Sequence, residues 1–252
     1  MKSTTLWQRG VQLAFILIVG LAWNVAVNSG RVNKLILPPL AAVWKQFSTL
    51  AVTGRFWPDL SVTLTELLAA FALAAIFGFG IGYAVSRSAF TVRVFDPLLA
   101  TMYAIPAILL YPMYVLFFGL GPGSKIAIGA TIAFFPIVLS TIAGLSNVNP
   151  TLPAAARSMG ASGRQLFTDV LLPAAFPMVL AGLRLGLVIG LLSILGAETI
   201  SSLEGVGHQI SALAENFDTA AMFAWVFVAI LVAFALNGIA TTIERRAWRT
   251  TD

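Results

Sequence analysis

The chain has no cysteine and a single histidine, His208. The first absence excludes disulfides, thiolate metal sites and cysteine nucleophiles. The second excludes any site built from several histidines. Charge is scarce too: 10% of the 252 residues are Asp, Glu, Lys or Arg, against about 25% in an ordinary soluble domain. Disorder is excluded, because it needs high charge and low hydrophobicity. What fills the space is apolar: 59% of residues are hydrophobic, where about 45–50% is usual. A soluble globule of this size cannot hide so much apolar surface. The composition predicts an all-α polytopic membrane protein, with residues 1–252 as a single transmembrane domain.

Apolar runs of about 20 residues mark the crossings. Six are predicted: Val11 to Val27, Leu60 to Val85, Val94 to Leu120, Ile126 to Leu145, Met178 to Leu195 and Met222 to Ile243. The first follows Lys2 and Arg9 as a signal peptide would, but no Ala-x-Ala-like site closes it and further spans follow. The third holds Pro97, Pro106 and Pro112, so it is expected to be bent or broken.

The net charge of +5 would raise nucleic acid as a partner in a soluble protein. Here the basic residues are scattered between apolar runs, so they report topology instead, and no nucleic acid is expected. With the N-terminus inside, the cytoplasmic segments hold Lys2, Arg9, Arg87, Arg93, Arg157, Arg164, Arg245, Arg246 and Arg249. The outside segments hold Arg31, Lys34, Lys45, Arg55 and Lys125, and Arg184 stays within the fifth span. Nine against five favours cytoplasmic N- and C-termini. In the first outside loop, Leu40, Val43, Trp44, Phe47 and Leu50 recur at helical spacing, which predicts an amphipathic helix lying on the membrane surface. The last loop, Thr199 to Ala221, has no Lys or Arg. Its stripe of Ile210, Leu213, Ala214 and Phe217 predicts a second surface or re-entrant helix.

One long cytoplasmic loop is left, residues 146–177. Asn149-Pro150 reads as an N-cap followed by Pro at the first helical position. Leu152, Ala155, Ala156 and Met159 then share one face, and Gly160 suits a left-handed stop. Ser162 and Gln165 have capping-box spacing, so a second short helix is expected there, ended by Pro173. The residue order in this loop resembles the signature loop of bacterial ABC-importer permeases. Ala154-Ala155-Ala156-Arg157-Ser158-Met159-Gly160-Ala161-Ser162, then Leu172-Pro173, Pro177 and Gly182, follow that family's pattern of Glu-Ala-Ala, three variable residues, Gly, then Leu-Pro-x-x-x-Pro and a later Gly. Ala154 departs from it, standing where the family has Glu. Leu37-Pro38-Pro39, Phe117-Phe118-Gly119-Leu120-Gly121, Gly196-Ala197-Glu198 and Gly205-Val206-Gly207 look like the nitrate/sulfonate/taurine group of these permeases.

The resemblance implies a type I importer permease in the bacterial inner membrane. It would form the pathway for a small, anionic solute as a homodimer in the lipid bilayer, with two ATPase subunits and an extracytoplasmic solute-binding protein as partners. The ATP is hydrolysed by the partner, and no cofactor, metal or catalytic residue is expected on this chain. That fits its lack of a Gly-x-x-x-x-Gly-Lys-Ser/Thr phosphate loop. The loop residues expected to couple to the ATPase are Ala155, Ala156, Arg157, Ser158, Met159, Gly160, Ala161, Ser162 and Leu166, docking as a short helix in a groove. Polar residues within spans face a cavity or another helix, which makes Tyr103, Tyr111, Thr131, Ser140, Ser193 and Glu198 pathway candidates. Two other functions are weighed. His208 with Ser211 and Glu215 sketches a hydrolase triad, but all three fall on one surface segment. An ion-coupled carrier could use Glu66, Asp96 or Glu198, yet the six unequal spans show no internal repeat.

Overall fold

A computed structural model describes residues 2–52 and 54–248; Arg249, counted in the topology above, lies outside them. The described residues form helices joined by short turns. In chain order these are α1 (Lys2–Asn28), α2 (Leu40–Leu50), α3 (Phe56–Ser86), α4 (Ala89–Tyr103), a 3-10 turn (Ala107–Leu110), α5 (Tyr111–Phe118), α6 (Pro122–Ser146), α7 (Thr151–Ser158), α8 (Gly163–Gln165), a π-helical turn (Leu166–Leu171), α9 (Leu172–Ile200), α10 (Val206–Glu215) and α11 (Thr219–Trp248). Among the described residues, five helical segments are long and apolar enough to cross a membrane. The broken pair Ala89–Tyr103 and Ala107–Phe118, bent by 73°, makes a sixth. The predicted third span is this pair. Its break falls just before Pro106, while Pro97 sits inside α4 and Pro112 in the first turn of α5, where a missing N–H costs no helical bond.

The chain resolves into two bodies. One holds residues 1–57 and 209–228, the other 58–208 and 229–252. In the first, Trp23 Nε1 donates to the Pro38 carbonyl at 2.9 Å, and its ring meets Phe223 edge-on at 5.0 Å. The amphipathic stripe predicted over residues 40–50 forms α2, with Val43 and Leu50 buried and Trp44 exposed. The last-loop helix also forms, as α10, but Phe217 lies past its end with a positive φ of 57°.

The second body is built around α6, which lies between α3 and α9. Glycines set how closely they approach, as in other membrane helix pairs. A Cβ added at Gly82 of α3 would stand 2.6 Å from Thr141 Cβ, and one at Gly186 of α9 would stand 2.7 Å from Ile137. Gly78 also abuts Ile137, whereas Gly80 faces open space; only part of the Gly78-Gly80-Gly82 run serves packing. We expect Gly82→Val to lower the melting temperature of the detergent-solubilised protein by about 5 °C, the scale of an overpacked contact, and Gly80→Val to leave it unchanged.

One boundary departs from the sequence reading. Pro173 does not end the second short helix. The chain stays helical from Gly163 to Ile200, passing through the π turn into α9, so the expected start at Met178 falls inside the helix. Pro173 occupies the first turn after the π segment, where its missing N–H is tolerated.

Candidate functional site

Two places in the second body concentrate unusual chemistry, at opposite ends of α6 and α9. The first is the turn joining them. Asn149 Oδ1 accepts from Thr151 N at 3.0 Å and starts α7. The helix ends in a complete Schellman motif: Ala161 N donates to the Ala156 carbonyl and Gly160 N to the Arg157 carbonyl, both at 3.0 Å. Gly160 takes a φ of +85°, a region costly for residues with a Cβ. The capping box then forms as its spacing predicts. Ser162 N donates to Gln165 Oε1 at 2.9 Å, and Gln165 N donates to Ser162 Oγ at 3.4 Å. Leu152 and Met159 project into the open, Met159 at 87% exposure, with Ala155, Arg157, Ser158 and Ser162 also exposed and Ala156 and Ala161 half-buried. Leu166 differs: it is buried, and Phe167 next to it sets its ring 4.5 Å from that of Tyr83. Those two side chains anchor the turn to the body.

The second place is the far end, where the chain leaves α9. Asp59, Thr63 and Glu66 lie one turn apart on α3, Lys125 in the first turn of α6 and Glu198 near the end of α9. All five are buried, Glu198 completely. Three successive backbone amides point at this cluster. Gly205 N donates to Asp59 Oδ1 at 2.9 Å, Val206 N to Thr63 Oγ1 at 2.9 Å and Gly207 N to Glu198 Oε2 at 2.7 Å. The Thr63 hydroxyl donates in turn to Glu198 Oε1 at 2.7 Å. These amides are the unpaired donors at the start of α10, where acceptors and negative charge are favoured. Side chains from two other helices therefore cap α10. Lys125 Nζ forms an ion pair with Glu66 Oε1 and donates to Ser202 Oγ at 2.9 Å. Tyr111 OH donates to the Ser201 carbonyl at 3.1 Å. The segment 201–207 is thus held from four sides. Gly205 has a φ of +108°, and a Cβ on it would run into the Glu198 carboxylate.

Residues 74–249 match the model of the binding-protein-dependent transport system inner membrane component family. The chain belongs to this family. It is a permease subunit, a transport component of an ABC importer. The permease is 31% identical over 229 residues to the taurine transport system permease protein TauC of Escherichia coli, covering 89% of this chain and 83% of that one. It is 30% identical over 245 residues to a putative aliphatic sulfonates transport permease protein, SsuC of Bacillus subtilis, covering 96% and 88%. Its fold is that of a subunit in inward-facing structures of the MetNI methionine ABC transporter, with a TM-score of 0.67 at 18% identity over 75% of this chain and 94% of that one.

The other residues singled out in the permease sequence are dispersed. Tyr103 is partly exposed, its ring stacked 5.8 Å from Phe135. Thr131 shares a 2.9 Å hydrogen bond with Tyr114, and Ser193 donates to the Ile189 carbonyl at 2.8 Å. Ser140 lies where α6 meets Gly182 of α9. Tyr111 and Glu198 belong to the cluster described above. Arg184 pairs with Glu244 at 2.9 Å. His208 is half-buried on α10. Lys125 is no loop charge, as the topology count took it, but a buried partner of Glu66. Sequence reasoning missed Asp59 and Thr63 altogether. Their signal was present in the i, i+4, i+7 spacing of Asp59, Thr63 and Glu66, a polar stripe on an otherwise apolar span.

Proposed function

We propose that this permease lines the path of a small anionic solute of the sulfonate class, as one of two identical subunits, and takes its energy from ATPase subunits that dock on α7 and the Gly160 turn. The solute itself would be delivered by an extracytoplasmic binding protein. Its taurine and sulfonate relatives support the substrate class. The observation that carries the coupling is the exposure of Met159 at the tip of a rigid, doubly capped turn. An adaptable apolar knob of this kind fits a partner's groove, and no phosphate loop gives the chain an ATPase site of its own. The turn joins α6 and α9, the two helices locked together through Gly182 and Gly186, so a push on it moves both as a rigid body. The bias of basic residues supports cytoplasmic termini. That bias sharpens now that buried Lys125 no longer counts as a loop charge, leaving four basic residues outside: Arg31, Lys34, Lys45 and Arg55. Among the pathway candidates, Tyr103, Thr131 and Ser140 are the ones not fully buried, and we take these three as the candidates to meet solute.

The test is purification of the tagged permease with its ATPase. The wild type is expected to retain the ATPase and to support taurine or sulfonate uptake in reconstituted vesicles. Met159→Glu places an unpaired charge in the docking groove and is expected to lose both at unchanged membrane abundance. Retention of ATPase and uptake by Met159→Glu rules out docking at this turn.

A further inference from the structure

We infer that the buried cluster at the start of α10 is a positioning latch for transport: Thr63, Glu198 and Asp59 hold the 201–207 segment in the one geometry through which the binding protein's signal reaches the ATPase. The inference rests on the importer reading and deepens it.

Stability alone does not explain the cluster. Buried charges in a span are costly, and apolar replacements of similar volume often stabilise a fold as well or better. What polar groups add is direction. Glu198, Thr63 and Asp59 each take one of three consecutive amides, so the path from Gly205 to Gly207 is fixed residue by residue. Lys125 and Tyr111 fix the preceding residues through Ser202 and the Ser201 carbonyl. No loose segment needs every one of these contacts.

The position completes the argument. Lys125 and the α7 turn stand at opposite ends of α6, about 30 Å apart at 1.5 Å per residue. Close glycine contacts join α6 to α3 and α9, and these three helices carry all the charged members of the latch. A rigid-body displacement at the α7 turn is therefore carried by these packed helices toward 201–207, provided the latch is closed. With the latch open, the segment no longer follows the helices, while the ATPase end is untouched.

The experiment uses the assembled permease–ATPase complex in vesicles, with substrate-loaded binding protein added outside. Three quantities are read: basal ATP hydrolysis, its stimulation by the binding protein, and uptake. Thr63→Val removes the hydroxyl that joins Val206 N to Glu198, and Glu198→Leu removes two acceptors at once. Both are expected to keep basal hydrolysis within about twofold and to lose stimulation and uptake by about tenfold, the scale of a buried hydrogen bond to a charged group. Thr63→Ser keeps the hydroxyl and is expected to behave as wild type. Should Glu198→Leu fail to reach the membrane, Ser202→Ala carries the same test on a half-buried loop residue, with a smaller loss of stimulation at normal abundance. Normal stimulation in Thr63→Val, or equal losses in Thr63→Val and Thr63→Ser, overturns the latch. A wild-type complex that retains no ATPase overturns the importer reading instead.

Discussion

Gly160→Val is expected to abolish uptake while leaving the permease in the membrane at normal abundance. A Cβ at this position meets nothing within 4 Å, so the substitution clashes with no neighbour. Its effect is conformational. Gly160 sits at φ +85°, and an L-residue in the left-handed region costs about 1–2 kcal/mol, with a β-branched side chain an outlier there. That alone lowers the population of the native turn by about 5–30-fold. The turn also closes the Schellman motif that ends α7, and α7 is only eight residues long. A helix so short is marginal without its caps, so the Met159 knob loses its fixed direction as well. Gly160→Asn is the control, because Asn tolerates the left-handed region, and it is expected to keep a substantial part of the activity. Uptake by vesicles and ATPase retention on purification measure both variants. Full uptake by Gly160→Val would show that the turn geometry does not matter.

Local features of the sequence were legible because their causes are local. The stripe from Leu40 to Leu50, the Ser162–Gln165 capping box and the stop at Gly160 each depend on residues within one or two turns, and each forms as its spacing predicts. What local pattern left hidden has a common origin in tertiary structure. Pro173 reads as a helix terminator, but the π turn ahead of it places it in a first turn, where a proline is harmless. Glu198 and Tyr111 read as pathway candidates because a polar residue in a span must face something. What they face is the 201–207 segment of the same chain, joined through partners as far away in sequence as Thr63. No periodicity links residues so distant. Lys125 is misplaced for the same reason: between the predicted spans ending at Leu120 and starting at Ile126 it looks like a loop charge, and only its proximity to Glu66 makes it part of the core.

That ion pair yields the other large effect. Lys125→Met is expected to destabilise the permease severely, by about 3–5 kcal/mol, because it leaves the Glu66 carboxylate buried beside no opposite charge. Against a total stability of about 5–15 kcal/mol, that is enough to deplete the protein from the membrane. Glu66→Leu strands the ammonium of Lys125, which is 3% exposed, and is expected to be harmful for the same reason. The double variant Glu66→Leu/Lys125→Met replaces the pair with apolar groups of similar length and is expected to return to within about 1 kcal/mol of wild type. The coupling between the two sites is then the gap between the double variant and the sum of the singles. Melting of the detergent-solubilised protein and membrane abundance give both numbers. Additive losses would mean that the two charges do not sustain each other. The double variant also separates folding from function, because Lys125 has a second contact, to Ser202. Removing the pair restores the fold but not that contact, so the double variant is expected to be abundant and stable yet less responsive to the binding protein than wild type.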